Sequence, residues 1–151
     1  MILEGHGLRL ELPARWSGRI FSLQDGVATL HAANFQLPLD DGQFGDASTA
    51  AMRPGAIFVA VTEYLSGGGL EPGTGLFAAK RLPRRLDPAA FTANALAHVR
   101  PGQVGAQRFC TLMGRPMCLY VVLAGDRSLR REQLAAVEHV LGSLRVQPRQ
   151  A

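Results

Sequence analysis

At 151 residues, 47% of them hydrophobic, the chain is one domain's worth of sequence, long enough to bury about 70% of its extended surface without metal or disulfide support. A formal net charge of +4 raises nucleic acid and anionic surfaces as partners, yet fifteen of the sixteen basic residues are Arg, with Lys80 the only Lys, in a background rich in Ala, Gly and Pro. That is the composition of a GC-rich coding sequence, and the aromatic residues are too few and scattered to suggest a base-stacking platform.

No apolar run reaches the roughly 18 residues of a membrane-spanning helix, and Met1-Ile2-Leu3-Glu4-Gly5-His6 has neither a basic n-region nor a cleavable apolar segment, so the default compartment is the cytoplasm. Residues 7–12 alternate, with Leu8, Leu10 and Leu12 on one side and Arg9 and Glu11 on the other, which predicts a half-buried strand ended by Pro13. Trp16 follows, to plug one end of the core. Residues 19–24 and 27–33 flank Asp25-Gly26, a strong hairpin signal, and His31 shares a strand side with Val27 and Thr29. Residues 35–45 read as a loop in which Asp40 and Asp41 serve turn chemistry, since the spaced carboxylates of a calcium loop are missing. A short helix over 46–52, capped by Asp46 or Ser48, stops before Pro54.

Residues 55–64 are apolar on both faces and predict a central strand that needs cover on both sides. The glycine-rich stretch 65–75 lacks the Lys and the helix opening of a phosphate cradle and reads as a surface loop. A strand over 76–80 runs into the densest positive patch, Lys80-Arg81-Leu82-Pro83-Arg84-Arg85. Asp87-Pro88 then predicts a capped helix passing Phe91 and Leu96 toward His98, and residues 100–105 lead on as a loop. The late hairpin has arms at 109–112 and 117–124 joined by Gly114-Arg115-Pro116. Cys110 and Cys118 lie on its two arms, opposite each other if the loop is Met113, Gly114 and Arg115; reduced, buried thiols are the leading reading and a cross-strand disulfide the alternative. A terminal helix, N-capped by Ser128, buries Leu134, Val137, Leu141 and Leu144 and leaves Arg131, Glu132, Glu138 and His139 in water.

The strand ending in Leu12-Pro13-Ala14-Arg15-Trp16, the central strand, the late hairpin and the closing Val140-Leu141-Gly142-Ser143-Leu144-Arg145-Val146 resemble the PsbP-like fold family, as found among small high-GC, actinobacterial-type proteins. The expected fold is therefore α+β. A single antiparallel sheet of about six to seven strands lies between helices as an α/β/α sandwich. Residues 1–147 make the domain and 148–151 a tail. The resemblance implies binding and not catalysis, with no family functional residue to carry over.

Three functions follow from the residues. The first is a non-catalytic binding or adaptor module that engages a protein partner through Lys80, Arg81, Arg84 and Arg85, because Arg forks suit carboxylates and phosphates and are enriched at interfaces. The second is a small-molecule binder or enzyme with His31 or His98 beside Glu63 as an acid–base pair, although no nucleophile elbow, zinc motif or Walker motif accompanies it. The third is weak nucleic-acid binding through Arg patches that include Arg127, Arg130 and Arg131. The expectation is no cofactor, no metal and no membrane; homo-oligomers are left open.

Overall fold

The computed structural model describes residues 1–24, 26–68 and 71–149; Asp25 of the first hairpin turn, part of the glycine-rich stretch and the end of the tail lie outside the described residues. Strands β1 (Ile2–Gly5) and β2 (Leu8–Glu11) form a hairpin whose turn, His6-Gly7, has both residues at positive φ. With β8 (Arg145–Val146) on the other side of β2 they make a three-stranded antiparallel sheet. A second antiparallel sheet holds β3 (Ser17–Gln24), β4 (Val27–Ala33), β5 (Ile57–Glu63), β6 (Gln103–Leu112) and β7 (Arg115–Ala124) in the order β3-β4-β5-β7-β6. The helices are the short α1 (Asp46–Ala50) and the longer α2 (Arg130–Gly142).

The expected single sheet of six to seven strands between helices, an α/β/α sandwich, is thus corrected to two sheets of three and five strands with one substantial helix. The opening strand does not enter the main sheet. Leu8 and Leu10 of β2, with Leu12, face the same core as Leu134, Val137, Val140 and Leu141 of α2, so sheet and helix together cover one face of β4, β5 and β7. Its other face, with Ala33, Phe58, Ala60, Tyr120 and Val122, is covered by loops through Leu37 and Leu96, flanked by Phe35, Phe44 and Met52.

The helix predicted after Asp87 does not form, although its capping signal is real. Asp87 accepts the Ala89 N–H at 2.9 Å with Pro88 in the first turn, but only 3-10 turns result, Pro88–Ala90 and Ala93–Ala95. Thr92 exchanges both backbone hydrogen bonds with Gly105 (2.9 and 3.0 Å), which holds the chain extended against the edge of β6. Gly105 makes that approach by lacking a Cβ, which would lie 2.7 Å from Leu96 Cδ2. Tertiary pairing here overrides a local helix signal. The strand expected over 76–80 is likewise replaced by a 3-10 turn, Gly75–Phe77.

The late hairpin turns through two residues, Met113 (φ 52°) and Gly114 (φ 79°), the positive-φ pair that matches strand twist. Cys110 therefore pairs with Met117, and Cys118 with Phe109. Because side chains alternate along a strand, the two thiols project from opposite sheet faces and no cross-strand disulfide spans them. Burial pushes the Cys110 thiol up to about 11 and the Cys118 thiol up to about 12. Both thiols should stay unreactive toward a disulfide reagent in the native protein and titrate fully once it is unfolded without reductant; fewer than two thiols after unfolding would contradict this register.

Candidate binding groove

The basic run from Lys80 to Arg85 is exposed, but the chain splits it between two grooves. Arg81 and Arg84 open beside β6 together with Arg108, Lys80 lines neither groove, and Arg85 turns the other way, toward α2. There it meets Arg127, Arg130 and Arg131 around a groove of about 1020 Å³. Two arginine groups distant in the chain thus share one concavity. Its floor is apolar, with Leu86, Phe91 and Leu134 buried beneath the more open Pro88, Ala89 and Ala135.

Two carboxylates line the same groove, and both are engaged by backbone. Asp87 holds the Ala89 N–H, and Glu138 of α2 accepts the Leu86 N–H at 2.7 Å, which fastens the segment carrying Arg85 to the helix. Among the described residues, none of Arg85, Arg127, Arg130 and Arg131 has an ion pair or a side-chain hydrogen bond, and the buried Nε of Arg130 has no partner. The placement also opposes helix electrostatics. Arg130 and Arg131 occupy the first turn of α2 and Arg127 lies in the 3-10 turn before it, the positive end of the helix, where a cation is unfavourable by about 0.3–1 kcal/mol and an anion is favoured. Only Glu132 answers them in that turn.

The acid–base pairing of His31 with Glu63 is not formed. His31 sits opposite Ala60 in the ladder between β4 and β5, so it shares a face with Phe58 and Thr62, whereas Glu63 lies on the face of Val61 and Val59. His98 instead approaches Asp46 on the surface at 3.5 Å, beside the Arg100 that also binds Asp46. His31 is fully buried between the edges of Phe21 and Phe58 (ring centroids 5.0 and 4.9 Å), with Nε2 3.0 Å from the Gln43 carbonyl and Nδ1 without a partner among the described residues.

Burial lowers the His31 pKa below its ordinary value, against the opposing pull of the Gln43 carbonyl and Asp41; Arg19 adds to the lowering. Neutral His31 belongs to the native state, while the unfolded chain takes up a proton as pH falls through about 6.5. Stability must therefore fall with acid in that window. Asp41 and Glu63 act in the same direction at lower pH: burial raises each, but hydrogen bonds to the carboxylate more than offset it, chiefly from Ser48 for Asp41 and from Arg115 for Glu63. We expect the urea midpoint to drop between pH 7.5 and 5.5, and that drop to vanish in His31→Asn whatever its absolute stability; a flat wild-type profile would contradict the buried neutral histidine.

Glu63 belongs to a structural cluster. Its carboxylate accepts two hydrogen bonds from Arg115 (2.8 and 3.0 Å), two from Arg149 (3.0 and 2.6 Å) and one from the Ala28 N–H (2.8 Å). Arg115 also donates to the carbonyls of His6 and Gln147, so both ends of the chain are tied to it. Asp41 is similarly occupied. It accepts N–H groups from Gly42, Ala47 and Ser48 and the Ser48 hydroxyl, so it caps α1 from outside the helix, in place of the expected Asp46 or Ser48.

Among the described residues no group of three or more His, Cys, Asp or Glu is placed to hold a metal ion, and no helix is long and apolar enough to cross a membrane. The chain matches no protein-family profile, no curated protein and no solved structure.

Proposed function

We propose that this protein is a non-catalytic binding module whose groove, between residues 85–91 and α2, takes an acidic segment of a protein partner. The observation that carries this reading is the convergence of four arginines without carboxylate partners on one apolar-floored groove at the positive end of a helix. Guanidinium forks supply bidentate sites for side-chain carboxylates, and the floor formed by Phe91 and Leu134 takes an apolar side chain between them. A bare phosphodiester backbone would leave that floor uncovered.

The test is fluorescence anisotropy with a labelled twelve-residue peptide of Asp, Glu and Leu, against a control in which Lys replaces the acids. We expect the acidic peptide alone to bind. Arg85→Glu and Arg131→Glu should each weaken it about tenfold or more, because each replaces an attraction with a repulsion across the interface. Arg53→Glu, exposed and outside both this groove and the basic run, should change it by less than about twofold. Undiminished binding to the Arg85 and Arg131 variants, or equal binding of the basic control, would sink the assignment.

A further inference from the structure

We infer that the open stretch of β6 is a second binding site, which takes an acidic partner segment in extended conformation as an added strand. β6 is an edge of the five-stranded sheet, and in an antiparallel ladder every second residue points its backbone groups away from the neighbouring strand. On β6 these are Gln103, Gly105, Gln107, Phe109 and Thr111, as the outward bonds at both ends show. Gln103 donates to the Arg100 carbonyl and Gly105 pairs with Thr92; at the far end Thr111 donates its N–H to the Ala79 carbonyl at 2.7 Å. The chain's own loops thus already pair with this edge at each end. Between them, the N–H and C=O groups of Gln107 and Phe109 have no hydrogen-bond partner among the described residues.

Two residues spaced by two on a strand present four backbone groups over about 7 Å, the repeat that an added strand reads. Beside this gap lies a groove of about 560 Å³ that holds Arg81, Arg84 and Arg108 around Leu82, Pro83 and Phe109. The three arginines are exposed, and none has a carboxylate partner among the described residues. They select the occupant. Antiparallel pairing of two copies about this gap would bring both sets of arginines together and is opposed by their repulsion, whereas acidic side chains on an added strand meet them favourably.

The probe is a labelled heptapeptide alternating Glu and Val, with a Lys–Val counterpart and a version N-methylated at alternate amides. We expect the acidic peptide to bind, the basic one not to, and N-methylation on the pairing side to weaken binding about tenfold or more through lost backbone hydrogen bonds. In hydrogen exchange followed by NMR, the amides of Gln107 and Phe109 should slow about tenfold or more on saturation, while that of Arg108, which faces β7, stays as it was. Arg108→Glu should weaken binding with an unchanged thermal midpoint. Arg85→Glu should leave the peptide-induced protection of Gln107 and Phe109 intact, which separates this site from the groove over α2. Absence of binding, equal binding of the N-methylated peptide, or binding without protection at Gln107 and Phe109 would overturn the proposal. Protection of the same amides by rising protein concentration alone would also overturn it and assign the edge to a second copy of the chain.

Discussion

Glu63→Gln should destabilise the protein by about 3–5 kcal/mol, the largest effect expected of any single isosteric change in the chain. The carboxylate is 1% exposed and the Arg115 side chain facing it is 4% exposed, so the amide leaves a guanidinium buried with no counter-charge and faces N–H groups with one of its own. Arg149 adds far less, because its side chain is 48% exposed and swings into water when the carboxylate is gone. The asymmetry gives a sharper form of the test. Replacing both members, Glu63→Gln with Arg115→Met, should recover part of the loss, since an uncharged pair leaves no desolvated charge. A urea-midpoint loss in Glu63→Gln equivalent to less than about 1 kcal/mol would show that the cluster is not the lock between the chain ends that its geometry implies.

Gly45→Ala is the second. Gly45 stands before α1 at φ 69°, and a Cβ placed there would lie 2.3 Å from Cζ of Phe58. Phe58 has no exposed surface and is held on one side by His31, so the ring has little room to give. The left-handed backbone costs a non-glycine residue about 1–2 kcal/mol and overpacking about 1–3, so the substitution should destabilise by about 2–5 kcal/mol. Gly42→Ala provides the control. None of the described residues lies within 4 Å of its added Cβ, and its backbone is outside the left-handed region, so its effect should stay within about 0.5 kcal/mol. Similar thermal shifts for the two variants would remove the close approach of Phe58 as the reason for a glycine at 45.

The strands that could be read from sequence were those with a clear period or an unbroken apolar run. β2 alternates Leu with charge, β4 and β5 are apolar on both sides, and β7 is apolar from Met117 onward; each was expected near where it lies. β1 was missed because Ile2-Leu3-Glu4-Gly5 has no period of its own, and its pairing with β2 moves the opening strand out of the main sheet. The helix after Asp87 was over-read: Asp87-Pro88 caps whatever turn follows, and the pairing of Thr92 with Gly105 that stops it is a tertiary contact. A one-residue difference in hairpin loop length decided the cysteines, since a strand's period of two converts one residue of register into the opposite face.

Both halves of the candidate groove were visible as arginine clusters, and their meeting was not. It depends on the hydrogen bond from the Leu86 N–H to Glu138, which sequence reading placed on a solvated helix face. The same holds for Glu63. Its type and position suggested acid–base chemistry, but its face relative to His31 follows from the β4–β5 register. One signal was available: a carboxylate at the end of one apolar strand and Arg115 at the start of another are the charge pattern of a buried pair. Arg108 passed unread because a single Arg in a strand gives no local sign that it lies on an edge.

The most direct test of the central claim, that Arg85 and the arginines at the start of α2 form one site for an acidic segment, is amide chemical-shift mapping with the twelve-residue acidic peptide. The non-proline amides of residues 85–91 and 127–135 should shift together along a single saturation curve, and Arg131→Glu should move the curves of both segments to about tenfold or more higher peptide concentration. Shifts confined to one segment, or two segments saturating at different peptide concentrations, would contradict it.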